Sequence, residues 1–432
     1  MRKGPSHKPE EVSSRPVSVS DPHLAIVEDE RSYRFLTYVF GGGVKVDGAR
    51  KEFDERTPIR VPSIRGQLRF WWRAVNPSKC ASVSALHARE AEIFGSTSSP
   101  SPLVITVKKQ PRLPRRVEFL EGKFKAKGGY ENIAYGAFPL RDTDGNTNHG
   151  VLHDYQEHTW TILLRYPGGY GHDVRAALWA WAHFGGLGGR TRRGFGAIEE
   201  VDTHEMSPSI DGGWAKYVSG EPVAWPHVPK LEKRRLVISS AVCSDGKQAL
   251  DCLLRAMREL RQGQIGRKYV DGSNTPARSY WPEADAIRGI TGESLPKHQQ
   301  RLSQSNKFPR AAFGLPIIFQ FKDKVSSKTP SGDPRDTTLT PKDKNRLASR
   351  LILRPNRAPS GEVRAAALVL EHPPVGQIVL SGKALRSPAS VETGIHDADE
   401  ARRLSGKGRP SPLTKGDAVF VDPIDRYLEE IR

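Results

Sequence analysis

Three arginines recur at the spacing of one helix face and form the first candidate for binding chemistry. Arg65, Arg69 and Arg73 fall at i, i+4 and i+8 of a helix predicted to begin near Ser63. Like charges at this spacing repel one another on an isolated helix. We therefore expect an anion to compensate them, and a phosphate backbone is the natural candidate. The alternative is a solvated basic face over a tryptophan-rich core.

The start of the same helix adds a second expectation. Free N–H groups near Ile64, Arg65 and Gly66, together with the helix dipole, would favour a phosphate. Gly66 costs a helix about 1 kcal/mol relative to alanine, and a close ligand approach would explain it. We expect Trp71 and Trp72 to lie in the core rather than stack on bases. The candidate ligand contacts in this segment are Arg60, Ser63, Arg65, Gly66, Arg69, Trp72 and Arg73.

A run rich in glycine and arginine, residues 185–196, is the second candidate. Its glycines allow positive φ angles, and its arginines can donate paired hydrogen bonds to phosphate. It is not a Walker loop, because no Gly-Lys-Ser/Thr follows, and it leads into a strand, unlike a dinucleotide fingerprint. Residues 193–196 overlap only the start of the RNA-recognition-motif signature. The alternative is a flexible hinge. The candidate contacts here are Gly188, Gly189, Arg190, Thr191, Arg192, Arg193, Gly194 and Phe195.

The composition limits the class of partner. The chain has 432 residues and a formal net charge of +18, which points to nucleic acid, an anionic membrane surface or a large acidic partner. No apolar run approaches the ~18 residues of a membrane span, and residues 1–22 are basic and lack the apolar core of a secretory signal. The three cysteines show no C-x-x-C pairing, so we expect a reducing cytoplasm and no metal site.

Hydrophobic periodicity predicts the elements that position these residues. Residues 32–201 predict the order β-α-β-β-α-β of a ferredoxin-like unit, with an insertion at 111–150. Its second helix has Asp173 as the predicted cap. The predicted strands of this unit are 33–40, 103–107, 159–166 and 195–198.

A second unit follows. Residues 322–345 and 381–415 are polar, and we expect mobile insertions there. The predicted elements are strands at 236–242, 315–321, 351–353 and 365–370 and a helix at 247–261. The predicted organisation is a disordered basic tail at 1–30, a first domain at 31–211, a linker at 212–230 and a second domain at 231–432.

At these motifs the chain resembles a known family. Residues 57–74 resemble the signature of the first RAMP subunit of the Cmr complex, the type III-B CRISPR–Cas effector, and residues 185–196 resemble the glycine-rich loop of RAMP proteins. The likeness covers about residues 31–355. Weaker similarities lie at 278–282, 313–316, 346–349 and 351–355.

The resemblance implies an α+β fold with two tandem ferredoxin-like, RNA-recognition-motif-related domains and long polar insertions. It implies an RNA-binding structural subunit that holds CRISPR RNA near its 3′ end, or complementary target RNA, in antiviral defence. Its partners would be the other RAMP subunits and the small and large subunits of the Cmr complex. The resemblance implies no catalysis, no cofactor and no membrane.

Two other functions stay open. A RAMP-type, metal-independent endoribonuclease would use histidines for acid–base chemistry on the 2′-OH, and the candidates are His153, His158, His172 and His183. A basic assembly protein of another RNA particle would fit the net charge equally well. Residues 142–146 superficially suggest calcium, but the glycine is misplaced and we expect a turn.

Overall fold

The computed structural model describes residues 23–41, 54–76, 79–122, 125–140, 151–155, 158–201, 206–218, 228–231, 234–269, 276–298, 305–326, 330–358, 360–371, 376–405 and 411–432. Residues 1–22 of the expected tail at 1–30 and the expected turn at 142–146 lie outside these residues. Residues 26–30 of that tail belong to the first strand, so the expectation of disorder is wrong there. None of the described helices is long and apolar enough to cross a membrane.

The first unit alternates strands and helices. Its elements are β1 (Ile26–Phe35), α1 (Val61–Val75), α2 (Val83–Phe94), β2 (Val104–Lys109), β3 (Arg115–Glu118), β4 (Leu120–Glu121), β5 (Lys125–Ala126), α3 (Glu131–Gly136), β6 (Val151–Asp154), β7 (Thr159–Pro167), α4 (Gly171–Phe184), β8 (Ile198–Glu200) and α5 (Ile210–Tyr217).

Four of these strands form an antiparallel sheet in the order β2-β7-β1-β8. β1 and β7 pair from Ile26 opposite Pro167 to Arg34 opposite Thr159. Helices α1 and α4 pack against each other, and their apolar stripes share one core with the inner face of the sheet. This is the order predicted for a ferredoxin-like unit, with β3 to β6 inserted before β7.

Four local features of this unit differ from the predictions. The last strand, predicted at 195–198, is observed at Ile198–Glu200, because residues 195 and 196 still belong to the turn. β1 ends at Phe35, and residues 36–40 leave the sheet, although the strand was expected at 33–40. Helix α2 was not predicted. Asp173 is not the cap of α4; it lies in the first turn and accepts a hydrogen bond from Trp72 Nε1 at 3.0 Å.

The second unit is longer and contains several small sheets. Its elements are β9 (Leu236–Cys243), α6 (Gly246–Arg261), β10 (Arg267–Tyr269), β11 (Pro276–Ser279), α7 (Glu283–Thr291), β12 (Ile317–Phe319), β13 (Thr337–Pro341), β14 (Leu351–Arg357), β15 (Val363–Val369), β16 (Ile378–Gly382), β17 (Ala389–Val391), α8 (Ala398–Ser405), β18 (Thr414–Lys415), β19 (Ala418–Val419) and α9 (Pro423–Ile431).

A three-stranded antiparallel sheet, β14-β15-β9, carries the core of this unit. Helices α6 and α9 pack against it and against each other. Asp245 caps α6 by accepting from Lys247 N and Gln248 N, and the apolar stripe of α6, Leu250, Leu253, Leu254 and Met257, is fully buried. In the described residues, this sheet has three strands, with β15 between β14 and β9.

A second antiparallel sheet, β12-β13-β16-β17, is built partly from segments expected to be mobile insertions. β13 lies within the polar stretch 322–345, and β17 and α8 lie within 381–415. Leu339 on β13 is fully buried against this sheet's own core. These segments are mostly polar, and the few apolar side chains of their strands are buried. Their composition therefore did not indicate strands.

The two units share a core. Ile352 and Leu368, from β14 and β15, belong to the same buried cluster as the first sheet. The glycine- and arginine-rich run lies at this junction, where Leu353 N donates to Arg192 O at 3.1 Å. The segment expected to bind a ligand therefore also joins the two halves of the chain.

Candidate nucleic-acid interface

A cleft of about 230 Å³ lies where the start of α1 meets the glycine- and arginine-rich run. Ser63 and Gly66 of α1 line one side, and Leu187 and Gly188 line the other. A side chain built at Gly66 would meet no atom within 4 Å. The structure thus brings together the two motifs that the sequence singled out, and it leaves the backbone of Gly66 open to the cleft.

The start of α1 offers fewer donors than the sequence predicted. The helix begins at Val61, and both Ser63 N and Ile64 N already donate to Arg60 O. Pro62 has no N–H, and Gly66 lies inside the helix, so the expectation of free N–H groups near Ile64 to Gly66 is wrong. The positive end of the dipole still faces the cleft, and the first turn contains no acidic residue.

The charged groups of the cleft are few. Arg60, the N-cap residue of α1, and Asp54 are the ionisable residues among those that line it. The Asp54 carboxylate accepts from Arg56 N and Thr57 N, and its pKa is lowered, chiefly by a hydrogen bond from the Thr57 hydroxyl. Among the described residues, one cation and one anion therefore face the cleft, and Arg60 is the one able to attract phosphate.

The arginine stripe is compensated inside the protein. Arg69 Nε and Arg73 Nη1 both lie 2.5 Å from Glu90 Oε1, and Glu90 is only 2 % exposed. Glu90 comes from α2, the helix that the sequence analysis missed. Two features of the sequence could have indicated α2. Ser82 caps the helix, and Leu86, Glu90 and Ile93 follow one another at helical spacing and are buried.

Arg65, the first member of the stripe, has an equally internal role. Its guanidinium donates to Phe94 O, Ser101 Oγ and Leu103 O at 2.7–3.3 Å. Burial, with the neighbouring Arg69 charge, lowers its pKa. The anion expected beside the stripe is therefore Glu90 together with these backbone carbonyls, and no phosphate is needed to explain the spacing.

We expect Glu90→Gln to lower the free energy of unfolding by about 2 kcal/mol, because two half-buried guanidinium groups lose their charged acceptor. Urea denaturation measures this loss. Glu92→Gln is the matched control, since Glu92 lies on the same helix but is exposed and paired only with Arg89. Its cost should stay below about 0.5 kcal/mol. Equal losses in the two variants would contradict the role assigned to Glu90.

The glycines of the run allow close backbone packing. Gly188, Gly194 and Gly196 have φ angles of 89°, 86° and 62°, a region that favours glycine. Gly189 N donates to Phe40 O at 2.6 Å, and a side chain at Gly188 would approach the same oxygen to 2.8 Å. The run is therefore a fixed, tightly packed segment and not the flexible hinge considered as its alternative.

The arginines of the run mainly bind backbone carbonyls. Arg192 Nη1 donates to Ser349 O, and Arg193 Nη2 donates to Phe313 O at 3.0 Å, so both reach into the second unit. Burial lowers the pKa of Arg193 to about 10. Arg190 is exposed with a φ of 55°, an uncommon value for a side chain of this size, and its Nη1 donates to Gly136 O at 2.8 Å.

A third arginine crosses the junction in the opposite direction. Arg354 on β14 is 6 % exposed and donates to Ala182 O at 2.9 Å and to Ile198 O at 2.8 Å. Together with Arg192 and Arg193, it forms what we call the arginine clamp. The three side chains of the clamp join the two units. Each donates hydrogen bonds to backbone carbonyls that are buried between the units and would otherwise lack a partner.

The two predicted aromatic contacts lie inside the core. Trp72 is 1 % exposed, and its indole donates to Asp173. Phe195 is fully buried and packs edge-on against Phe40. Neither ring presents a face on which a base could stack in this structure. Two further residues of α1 lie here: Gln67 lines the cleft, and Phe70 lines the space beside it. They follow Ser63 at i+4 and i+7, so helical spacing could have identified them from the sequence.

The outer face of the first sheet is not an RNA-recognition-motif platform. Its side chains pair across strands, as Glu28 does with Arg165 at 2.6 Å and Arg34 with Glu199 at 2.9 Å. Ser32 and Thr161 share a hydrogen bond there at 3.0 Å. The outward positions of β1 and β7 carry no aromatic ring, so this face lacks the stacking residues that such platforms use.

The candidate histidines have structural surroundings. His153 Nε2 lies 2.9 Å from Glu55 Oε1, and burial lowers the pKa of His153. His183 Nε2 donates to Pro208 O, and burial lowers its pKa to about 4. Burial also lowers the pKa of His172, which packs against Tyr217, and His158 N donates to Tyr155 O. In the described part of the chain, no three His, Cys, Asp or Glu side chains are grouped to hold a metal ion.

Comparison with known proteins finds similarity in the part of the chain that contains the cleft. Residues 32–199 match the RAMP superfamily. The matched segment includes α1, α4 and the glycine- and arginine-rich run. Over 151 residues, 34 % of this chain, the sequence is 30 % identical to the CRISPR system Cmr subunit Cmr1-1 of Pyrococcus furiosus. The matched stretch spans 42 % of that protein, less than half of its length.

Two solved structures align with the chain at low sequence identity and with TM-scores below 0.5. One is the crystal structure of Cmr1 from Pyrococcus furiosus in its apo form, with a TM-score of 0.48 and 15 % identity over 81 % of this chain and 89 % of that one. The other is a chain of the Type III-B Cmr-beta complex bound to cognate target RNA, with a TM-score of 0.47 and 10 % identity over 80 % of this chain and 94 % of that one.

Proposed function

We propose that this chain is an RNA-binding structural subunit of a type III-B CRISPR effector and corresponds to the first RAMP subunit of the Cmr complex. Its ligands would be CRISPR RNA near the 3′ end, complementary target RNA, or both. Its protein partners would be the other RAMP subunits and the small and large subunits, in the cytoplasm. We also propose that both units are ferredoxin-like, the second without its outer strand in the described residues.

The convergence of two RAMP-type motifs on one cleft carries this proposal. The positive end of α1, the N-cap residue Arg60 and the exposed backbone of Gly66 and Gly188 face the same space. Such an end favours a phosphate group, and an unhindered backbone lets it approach closely. The Cmr1-1 likeness over 151 residues supports the choice of complex.

A non-catalytic role agrees with the histidines. Burial lowers the pKa of His153 and lowers that of His183 to about 4, and each ring lies within hydrogen-bonding distance of a neighbouring oxygen. An acid–base pair for ribonuclease chemistry needs groups within reach of one 2′-OH. No such pair faces the cleft among the described residues, so we propose binding and assembly without cleavage.

Tagged purification from the native host tests the assembly role. We expect other RAMP subunits, with short RNAs that share a repeat-derived 5′ end, to copurify with the chain. Recovery of the chain alone, or with ribosomal or unprocessed repeat RNA, would contradict the proposal.

We expect Arg60→Glu to weaken the binding of a short single-stranded RNA by about tenfold. It should also reduce the magnitude of the salt-dependence slope by about 0.7, the value of one phosphate contact on a single strand. Fluorescence anisotropy over a series of salt concentrations measures both quantities. Arg60 is a cleaner probe than Arg65 or Arg69, whose side chains support the fold.

Two further variants control this measurement. Asp54→Asn removes the anion of the cleft and keeps an acceptor for the turn, so it should strengthen binding. Lys125→Glu reverses an exposed cation that pairs with Glu121 away from the cleft, and it should leave the slope nearly unchanged. An equal effect of Arg60→Glu and Lys125→Glu would remove the cleft from the site.

A further inference from the structure

A larger cavity lies in the second unit, and the proposed function does not use it. Its volume is about 850 Å³, within the usual range of sites for small ligands. β11, α7 and β12 contribute to its walls, and it shares no described lining residue with the cleft. We call it the basic cavity. The arginines and lysines of its lining are Arg267, Arg278, Arg288, Lys297, Arg310 and Lys322, and its acids are Asp323 and Asp333.

Three arginines of the lining already have a carboxylate partner. The pairs are Arg278 with Asp285 at 2.5 Å, Arg288 with Asp333 at 3.0 Å and Arg310 with Glu283 at 3.3 Å. The side chains of these three acids are at most 5 % exposed. A guanidinium has five N–H groups, so one carboxylate does not use all of its donors. The pairs therefore hold the guanidinium groups in place and leave donors for a ligand.

The other cations of the lining outnumber the remaining acid. Lys297 Nζ lies 4.0 Å from Asp323, which is the limit of an ion pair. Arg267 and Lys322 form no ion pair with a described residue. Once the three buried acids and Asp323 are counted, the six cations leave an excess of two positive charges. A phosphate monoester at neutral pH carries nearly that charge with the opposite sign.

The excess charge also acts on a buried neighbour. Burial lowers the pKa of Arg310, and the nearby charge of Glu283 opposes this shift. The positive charges of Arg261 and Arg267 lower the same pKa further. Like charges are thus crowded around this part of the cavity, and a bound anion would relieve their repulsion.

The unpaired cations lie where solvent reaches the cavity. The Lys297 side chain is 69 % exposed, and Lys322 is exposed as well. Gln262, Ala277 and Gln320, which also line the space, are exposed too. A ligand can therefore reach these ammonium groups without any movement of the core.

We infer that the basic cavity binds the phosphate groups of an anionic ligand, either a free phosphate compound or the backbone of an RNA. Arg267, Lys297 and Lys322 neutralise the ligand, and Arg278 donates to it from the wall. Phosphate suits this arrangement better than a single carboxylate, because it accepts from several directions and carries more charge. The inference goes beyond the proposed function, since a free phosphate compound can bind here whether or not the chain binds RNA.

A pair of substitutions that differ only in charge tests this inference with the full chain. Ala277 lines the cavity and is exposed, so a longer side chain there does not disturb the core. Ala277→Glu adds a carboxylate to the cavity, and Ala277→Gln adds nearly the same shape without the charge. Calorimetry with inorganic pyrophosphate and fluorescence anisotropy with a short single-stranded RNA measure the two affinities. We expect Ala277→Glu to bind one of these ligands about tenfold more weakly than Ala277→Gln.

Two lysines on one segment provide a second comparison. Lys322→Gln removes an unpaired cation of the lining and should weaken the same binding by about threefold. Lys324→Gln is the control, because Lys324 pairs with Asp336 at 2.9 Å and does not line the cavity. It should leave the affinity unchanged. Thermal unfolding confirms that each variant is folded.

The outcomes identify the source of the phosphate and separate this site from the cleft. Pyrophosphate binding that distinguishes Ala277→Glu from Ala277→Gln supports a free phosphate compound. RNA binding that distinguishes them, without such pyrophosphate binding, supports the RNA backbone. Equal affinities of the two variants for both ligands, or binding of polyglutamate in place of both, overturn the inference.

The proposed function has its own outcome in these measurements. RNA binding that responds to Arg60→Glu and not to the Ala277 pair leaves the proposed function standing without this second site. An absence of binding of either ligand by the unmodified chain overturns both.

Discussion

Replacing Gly196 by alanine is expected to lower the free energy of unfolding by about 4 kcal/mol. At a φ of 62°, an L side chain costs about 1–2 kcal/mol. The new Cβ would also lie 1.8 Å from Leu187 O, and only a backbone shift can relieve that contact. The shift would break the bonds of Gly196 N to Tyr38 O and of Leu187 N to Gly196 O.

Gly122→Ala is the matched control for this prediction. Gly122 has a φ of 61°, but a Cβ there would meet no atom within 4 Å. The two variants share the cost of the left-handed backbone and differ in the collision. Urea denaturation should therefore show a loss of only about 1–2 kcal/mol for Gly122→Ala. A similar loss of unfolding free energy in both variants would mean that the collision with Leu187 O is not what destabilises Gly196→Ala.

Replacing Arg354 by methionine is expected to lower the free energy of unfolding by about 3 kcal/mol. Methionine preserves most of the buried volume, so the loss comes from two inter-unit carbonyls, Ala182 O and Ile198 O, that lose a charged donor. Burial lowers the pKa of Arg354 to about 9, which still leaves it charged at neutral pH. Because the tie joins the two units, we also expect the unfolding transition to broaden or split.

Arg357→Met is the matched control for Arg354. It lies on the same strand, but its side chain is 29 % exposed and pairs with Glu199 at 3.0 Å. Such a pair contributes at most about 1 kcal/mol. Calorimetry and denaturation of the two variants should therefore differ by at least 2 kcal/mol. Equal and small effects would show that the junction relies on apolar packing rather than on the clamp.

Long elements with a clear period were predictable from the sequence. The apolar stripes of α1 and α6 place both helices within two residues of their observed starts, and the order of the first sheet follows from chain order. The end of β1 was not predictable. Residues 36–40 are all buried, so their apolar pattern continues although the chain has left the sheet.

The two segments that line the cleft were singled out from the sequence, but the contacts of their side chains were not. Gly66 and Gly188 belong to these segments, whereas the partner of each arginine depends on residues far away in sequence. Glu90 on α2 neutralises Arg69 and Arg73, and carbonyls near Ser349 bind Arg192. The number of arginines in one segment cannot show whether their side chains already bind an acceptor inside the protein.

The arginine clamp also bears on how the chain is made. Arg193 and Leu353 form a parallel bridge across 160 residues, a long closure that slows folding. At about 5–20 residues per second, a ribosome adds Leu353 roughly 10 to 30 s after Arg193. Throughout that interval the nascent first unit exposes two arginines and an unfinished core. The contacts between the run and β14 therefore form only after synthesis has reached the second unit.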